Sequence, residues 1–349
     1  MPAVGKMKRR LSRLSWLVKP AVQWLLLGLI LLAAWRLMLP AVTTVFRWLN
    51  PTITQLHSYR GRTNFLLLGV GGEGHDGGDL TDSLILLSVN VTSGDAVLLS
   101  LPRDIWVKSL AAKLNTAYHY GEAKQPGGGL VLAKASVAEV INQPVHYGVV
   151  LDFSGFERLI DILGGIEVEV PRGFTDSLYP IPGKETAEPE SKRYETIEFK
   201  SGKQHFDGAT VLKYVRSRHA EGEEGTDYAR AQRQQRVILA VKNELLKPAN
   251  WLNLKKIKQL QQALLASVNT DITGTVYPDL VKLAFKIDQD QIRTGVIDQG
   301  SQTEEIPPLL YNPPVSRYGQ WVLLPAGDDW EQVYQYVAEL LYQNQSTKE

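Results

Sequence analysis

The 349 residues include no cysteine. That excludes disulfides, thiolate metal sites and cysteine nucleophiles. Histidine is sparse, and its six copies are scattered without zinc-ligand spacing. Also missing are the G-x-S-x-G turn of a serine hydrolase, H-E-x-x-H, the kinase motif set and the Gly-Lys-Ser/Thr that ends a Walker loop. There is little net charge. The total is +1, but residues 1–19 hold six basic side chains and no acid, so the remainder carries −5. A mildly acidic body argues against a broad nucleic-acid surface, and no nucleic-acid partner is expected. There is no internal repeat.

Long apolar runs are scarce too, and the single one is AVQWLLLGLILLAAWRLML at 21–39. At about 1.5 Å per residue it spans roughly the hydrocarbon thickness of a bilayer. Arg36 sits near one end, where its stem can snorkel, and Trp16, Trp24 and Trp35 suit the interface. The basic cluster before the run holds the N-terminus in the cytoplasm by the positive-inside rule. A cleaved signal peptide is the alternative, but no A-x-A site follows the run. The expected organisation is a basic cytoplasmic tail (1–19), a single transmembrane helix (20–40), a connector (41–60) and an extracytoplasmic domain (61–345), placing the bulk of the chain on the outer side of a cell membrane.

Periodicity in that domain alternates between strands and helices. Strands are expected at 63–70, 82–91, 95–107, in VHYGVVLD and at 166–170. Helices are expected at 128–142, in FSGFERLIDIL with Gly164–Gly165 closing it, in GATVLKYVR, and at 226–246 with Thr226 or Asp227 as N-cap. Further helices fall in NLKKIKQLQQALLASV, YPDLVKLAFKI and DWEQVYQYVAELLYQ, with strands in IRTGVI and QWVLLP. The pattern implies an α/β domain with helices on both faces of a mixed sheet. Residues 174–199, rich in Pro, Glu and Lys, read as a long loop, a lid or surface insertion.

Three polar stretches could carry chemistry. In KYVRSRHAEGEEGTDYARAQRQQRV (213–237), helical spacing puts Arg230, Arg233 and Gln234 on one face and Arg236 on another. The N-terminal end of that helix favours anions. Arg216 and Arg218 are two apart, so an extended backbone points them the same way. The Gly-rich GGEGHDGGDLTDS (71–83) follows a buried strand and supplies Asp76, Asp79 and Asp82. Carboxylates beside an anion site suggest Mg²⁺ held by one or two oxygens plus substrate. SLPRDIWV ends an apolar strand with Arg103 and Asp104. If strands 63–70 and 95–107 are neighbours, the three stretches gather at a sheet edge, where α/β sheets bind ligands.

In this order and spacing, NFLLLGV, LTDSLILLSVN, LLSLPRDIWV, KLNTAYHYG, DFSGFERLIDILGGIEVEV, GKQHFDGATVLKYVRSRH and DYARAQRQQRVI resemble the LytR–CpsA–Psr family of bacterial cell-envelope proteins. The resemblance covers residues 62–245 strongly and 250–343 more loosely. It implies an α/β/α sandwich with a hydrophobic pocket for a polyprenyl chain. It also implies an Mg²⁺-dependent phosphotransferase that moves a glycopolymer from a polyprenyl-pyrophosphate carrier to a peptidoglycan hydroxyl; the polymer class, such as teichoic acid or capsule, stays open. By the resemblance, Asp82 is a metal or catalytic carboxylate, and Arg103, Arg216, Arg218, Arg230, Gln234 and, more weakly, Arg233 hold pyrophosphate. Arg103 and Arg218 also serve catalysis. Many members have an aspartate where this chain has Gly71, so Asp76 or Asp79 is expected to take its place as metal ligand. A non-enzymatic envelope regulator or lipid binder, and a pyrophosphate-lipid hydrolase, are the alternatives. The general base is open between Asp82 and Asp104.

Overall fold

A computed structural model describes residues 52–72, 77–184, 186–287, 292–300, 308–327 and 329–343. The expected cytoplasmic tail and transmembrane helix lie outside the described residues, as does Asp76; among the described residues no helix is long and apolar enough to cross a membrane. Residues 55–349 form one compact unit.

In chain order the main elements are β1 (Arg62–Val70), β2 (Thr81–Asn90), β3 (Ala96–Leu101), α1 (Ala117–Lys124), α2 (Gly128–Ile141), β4 (Tyr147–Asp152), α3 (Phe153–Leu163), β5 (Ile166–Val170), β6 (Phe174–Pro180), β7 (Tyr194–Phe199), β8 (Gly202–Phe206), α4 (Gly208–Arg216), α5 (Asp227–Leu246), α6 (Leu254–Ser267), β9 (Val268–Thr270), α7 (Tyr277–Lys286), β10 (Arg293–Val296) and α8 (Glu331–Tyr342). Several elements start at side-chain caps. Asp152 accepts from the Gly155 amide at 2.7 Å, Asp207 from Thr210 at 2.9 Å and Thr226 from Ala229 at 3.1 Å. Gly164, at φ 90°, closes α3 in the left-handed conformation.

The central sheet has six strands in the order β9-β4-β1-β2-β3-β10. β1 runs parallel to β4 and antiparallel to β2; β3 runs antiparallel to β2 and parallel to β10. The expected mixed sheet with helices around it is therefore present. Two details differ. β1 and β3 are not neighbours, because β2 lies between them. The strand expected at 95–107 stops at Leu101, because Pro102 cannot donate to the ladder; Trp106–Val107 is a separate short strand.

The buried apolar side chains fall into two clusters. Leu66, Leu68, Leu84, Leu86 and Leu99 point one way and pack with Val137 and Ile141 of α2 and Val333 and Val337 of α8. A second core lies among Ile160 of α3, Val168 of β5, Phe174, Phe199, Phe206, Tyr214 of α4 and Val237 of α5. Aromatic edges pack there, with Phe199 and Tyr214 T-shaped at 5.1 Å. α3 lies close against α6: a Cβ on Gly155 would stand 2.0 Å from the Ser267 Cβ, so only glycine allows this approach. The expected loop at 174–199 is instead a hairpin of β6 and β7.

Candidate active site

Register explains how the polar stretches meet without β1 and β3 touching. β2 begins where β1 and β3 end: Val70 pairs with Thr81, and Leu101 pairs with Leu84. β4 and β10 end at the same rim, since they run parallel to β1 and β3. Asp82, on the first turn of β2, thus comes beside Arg103, which follows Pro102. Arg103 Nη1 donates to Asp82 Oδ1 at 2.5 Å, and its Nε lies 3.5 Å from Asp104. Asp104 also accepts from Lys113 Nζ at 2.7 Å.

Arg218 reaches the same carboxylate, with Nη2 3.8 Å from Asp82 Oδ1. Arg230 comes from the first turns of α5 and is tied to Asp227 at 2.7 Å. Arg216, at the end of α4, sets its guanidinium 4.7 Å from the ring centre of Phe153. Two cavities hold these groups. The larger, about 220 Å³, is lined by Asp82, Ser83, Phe153, Tyr179, Arg216, Arg218, His219, Arg230 and Gln234. The smaller, about 40 Å³, adds Arg103, Asp104, Tyr228 and Asp298.

The electrostatics are those of an anion site. Burial, then the neighbouring Arg230 and Arg103 charges, push the Arg218 guanidinium down to about 10. Burial lowers Arg230 as well, with Arg103 adding repulsion against the support of Asp227. For Arg103 burial pulls down, but Asp104 and Asp82 outweigh it and raise the value. All three stay cationic at neutral pH. Like charges gathered in a half-buried cleft repel one another, and an anion bound among them relieves that repulsion.

The turn that carries Arg218 has a rigid support absent from the sequence reading. Asp176 of β6 is fully buried. Its Oδ2 accepts from Ser217 Oγ at 2.6 Å and from the amides of Arg218 and His219 at 3.1 Å, and its Oδ1 accepts from Leu178 at 3.0 Å. Burial opposes the charge, but these donors together hold the carboxyl below its usual range. Tyr179 and Phe153, both lining the cavity, were also unassigned; Phe153 could have been noticed as the exposed-end neighbour of the Asp152 cap.

Arg233 must be corrected. It was expected to hold pyrophosphate, yet it is fully buried, about 60° around α5 from Arg230. Its guanidinium donates to the carbonyls of Tyr214 (3.0 Å), Ser217 (2.8 Å) and Glu224 (2.8 Å) and to Glu224 Oε2 at 3.0 Å. Phe174 lies beneath it at 4.7 Å. Every donor direction faces the fold, so it is a structural residue. Asp79 is also set apart from Asp82: it pairs with His119 Nδ1 at 2.5 Å and lines a different cavity, of about 540 Å³. Among the described residues no group of three or more His, Asp or Glu side chains could hold a metal ion. Asp82 is the carboxylate that both Arg103 and Arg218 approach.

A fourth cavity, about 200 Å³ and almost wholly apolar, adjoins the arginine pocket, and Ser83, Phe153, Val215 and Gln234 line both. It lies under the second face of the sheet, between Leu67, Ile85, Val149 and Leu151 and the helical residues Phe156, Leu212 and Ile238.

Fold and site together define an α/β protein whose sheet rim gathers arginines around a cleft, with an apolar slot beside it. The sequence profile of the LytR_cpsA_psr family matches residues 47–305, and the chain belongs to that family. It is 30% identical over 223 residues to the polyisoprenyl-teichoic acid–peptidoglycan teichoic acid transferase TagU of Oceanobacillus iheyensis, covering 63% of this chain and 62% of that protein. With the TagU of Enterococcus faecalis it shares 28% over 255 residues, 69% of this chain and 73% of the other. The crystal structure of Bacillus subtilis TagV superposes with a TM-score of 0.55 at 24% identity, covering 81% of this chain and 98% of TagV. A structure of TagT bound to LI-WTA superposes at 0.52 with 20% identity, over 83% and 95% of the two chains. These two show a shared fold.

Proposed function

We propose that this chain is a membrane-anchored phosphotransferase that moves a glycopolymer from a polyprenyl-pyrophosphate carrier to a peptidoglycan hydroxyl on the outer side of the membrane. The observation that carries this reading is that the arginine pocket and the apolar slot lie side by side, with Ser83, Phe153, Val215 and Gln234 lining both. A ligand matching both halves has an anionic head and a long hydrocarbon tail, as a lipid pyrophosphate does. The names of the TagU relatives support the same class of donor and acceptor.

In this reading Arg218, Arg230 and Arg216 receive the pyrophosphate oxygens, and Gln234 adds an amide donor at the mouth of the slot. Arg103, fixed by Asp82 and Asp104, stands where charge grows on the departing phosphate. The acceptor hydroxyl attacks the glycan-proximal phosphorus and gives up its proton to Asp82 or Asp104, the phosphoanhydride bond breaks, a glycan phosphodiester forms, and polyprenyl phosphate leaves. Its tail keeps that product in the slot until it returns to the bilayer. A carboxylate beside substrate phosphates fits Mg²⁺, which uses few protein ligands and takes the rest from substrate and water. Asp82 would hold it, and when bound it would neutralise phosphate charge. Asp79, paired to His119, lines another cavity. Both carboxylates considered as base are engaged by cations, Asp82 by Arg103 and Asp104 by Lys113.

The test mixes purified protein, Mg²⁺, a polyprenyl-pyrophosphate oligosaccharide and a peptidoglycan oligomer, and reads products by mass spectrometry. A phosphodiester-linked adduct that disappears with Arg218→Ala supports the transferase. Free glycan phosphate with no adduct points to hydrolysis. Bound, unconsumed lipid points to a binding protein and overturns the enzymatic reading.

A further inference from the structure

The three most exposed large apolar side chains among the described residues fall between 252 and 265, on α6 or just before it. Leu252, Leu254 and Leu265 are 85%, 82% and 78% exposed. Leu254, Lys258, Gln261 and Leu265 follow i, i+4, i+7 and i+11 spacing on α6, within about 60° of the helix circumference. The opposite face of α6 is occupied. Ala263 is buried, Ser267 presses on Gly155 of α3, and Lys256 Nζ donates to the Leu163 carbonyl at 2.7 Å. The leucine stripe therefore faces away from the body by construction.

The charge beside it has one sign. From 245 to 270 there is no Asp or Glu, while Lys258 lies on the same face as Leu254 and Leu265 and Lys255 lies beside it. Exposed leucines bordered by lysines on a helix held flat against a domain suit an interface of headgroups above acyl chains. The chain's own length favours the same occupant. Fifteen residues separate the apolar run ending at Leu39 from Gln55, whose amide is bound to Asp279 Oδ2 at 2.8 Å. That connector reaches at most about 50 Å. With a bilayer end to that tether, even a weak surface meets lipid at high effective concentration.

We propose that Leu252, Leu254 and Leu265, with Lys255 and Lys258, form a surface that lies on an anionic lipid bilayer. α6 would then be the domain's resting face on the membrane, and α3, packed on its inner side, carries Phe153 and Phe156 into the apolar slot.

Because the protein has no cysteine, a single label can be placed cleanly. Leu254→Cys, Leu265→Cys and Val131→Cys, each on the full chain, would carry an environment-sensitive fluorophore in nanodiscs of phosphatidylglycerol and phosphatidylcholine doped with nitroxide lipid. Val131 is 63% exposed on α2 and serves as the reference. The expected result is quenching at 254 and 265 at least about twofold stronger than at 131, falling toward the reference with Lys255→Glu/Lys258→Glu or in phosphatidylcholine alone. Equal quenching at all three sites overturns the proposal. So does quenching that is indifferent to the Glu pair and to lipid charge. A shift at 254 that grows with protein concentration in lipid-free micelles would make a second copy of the chain the occupant and overturn it as well. An unchanged thermal transition in each variant shows that the readings come from folded protein.

Discussion

On α5 the side chains of Arg230 and Arg233 are separated by about 60° around the helix axis, and that rotation gives them opposite roles. Arg230 opens toward Asp82 and the cavity; Arg233 spends its donors on Tyr214, Ser217 and Glu224 inside the fold. Arg233→Ala would strand three carbonyls and one carboxylate, and is expected to cost about 3–5 kcal/mol in urea unfolding of residues 55–349. Arg218→Ala and Arg230→Ala are expected to leave the unfolding midpoint nearly unchanged while abolishing transfer. Equal destabilisation by all three would show the cluster to be structural. Sequence spacing put both arginines on one side because helical periodicity distinguishes a buried face from an exposed one, whereas α5 is covered on both flanks: Gln235 donates to Ser100 and Gly295 of the sheet, and Arg233 serves the second core. A titratable residue adds a pH effect. His146 Nδ1 accepts from the Asn64 amide at 2.9 Å, and burial, then His57 and Lys134, push this imidazole down to about 4. The folded state keeps it neutral where the unfolded chain, near 6.5, takes up a proton. Stability is therefore full above about pH 6.5 and falls as pH drops toward 4, by at most about 3 kcal/mol. His146→Asn, whose Oδ1 can accept the same bond, is expected to flatten the urea midpoint between pH 6.5 and 4.5 relative to the native residue.

The β6–β7 hairpin is the element that sequence reading misjudged most. Its Pro, Glu and Lys content suggested a lid, but only the tip has that composition. The arms place Phe174, Ile197 and Phe199 in the second core and Asp176 under the arginine turn. The strands were hidden because a register shift between Asp176 and Tyr179 breaks their alternation. By contrast, α3 and α5 were legible almost to the residue, since Asp152, Gly164 and Thr226 are side-chain and glycine signals that act locally. The hairpin's role gives an element-scale test. Asp176→Asn retains the shape but replaces one acceptor with a donor facing Ser217 and two amides. Loss of about 1–3 kcal/mol in stability is expected, together with roughly tenfold weaker pyrophosphate binding by calorimetry. Ser217→Ala removes one donor and leaves the two amide contacts, so its effect should be smaller in both readouts. Unchanged pyrophosphate affinity in Asp176→Asn would mean the arginine turn holds its shape without the hairpin.

For the whole molecule, what matters is that one sheet rim serves two solvents. The rim was foreseeable: Asp82, Arg103 and Arg218 each follow or open an apolar segment, and α/β sheets bind ligands at such ends. The slot was not, because its walls come from Leu67, Ile85 and Val149 on strands and Phe156, Leu212 and Ile238 on helices, residues that read as ordinary core in any one segment. What keeps them from closing is the pairing of a sheet face with helices drawn off by a core of their own. The two halves can be separated experimentally. Val149→Phe adds a ring to the apolar slot and touches none of the arginines. Binding of inorganic pyrophosphate should be unaffected, while affinity for a long polyprenyl pyrophosphate should fall about 10–100-fold, since each buried methylene lost from contact is worth about 0.8 kcal/mol. A short isoprenyl pyrophosphate, needing less of the slot, should lose less. The gradient with tail length is the diagnostic: if Val149→Phe weakens every ligand equally, the slot is not where the tail lies, and the arginine pocket must recognise its substrate by the head alone.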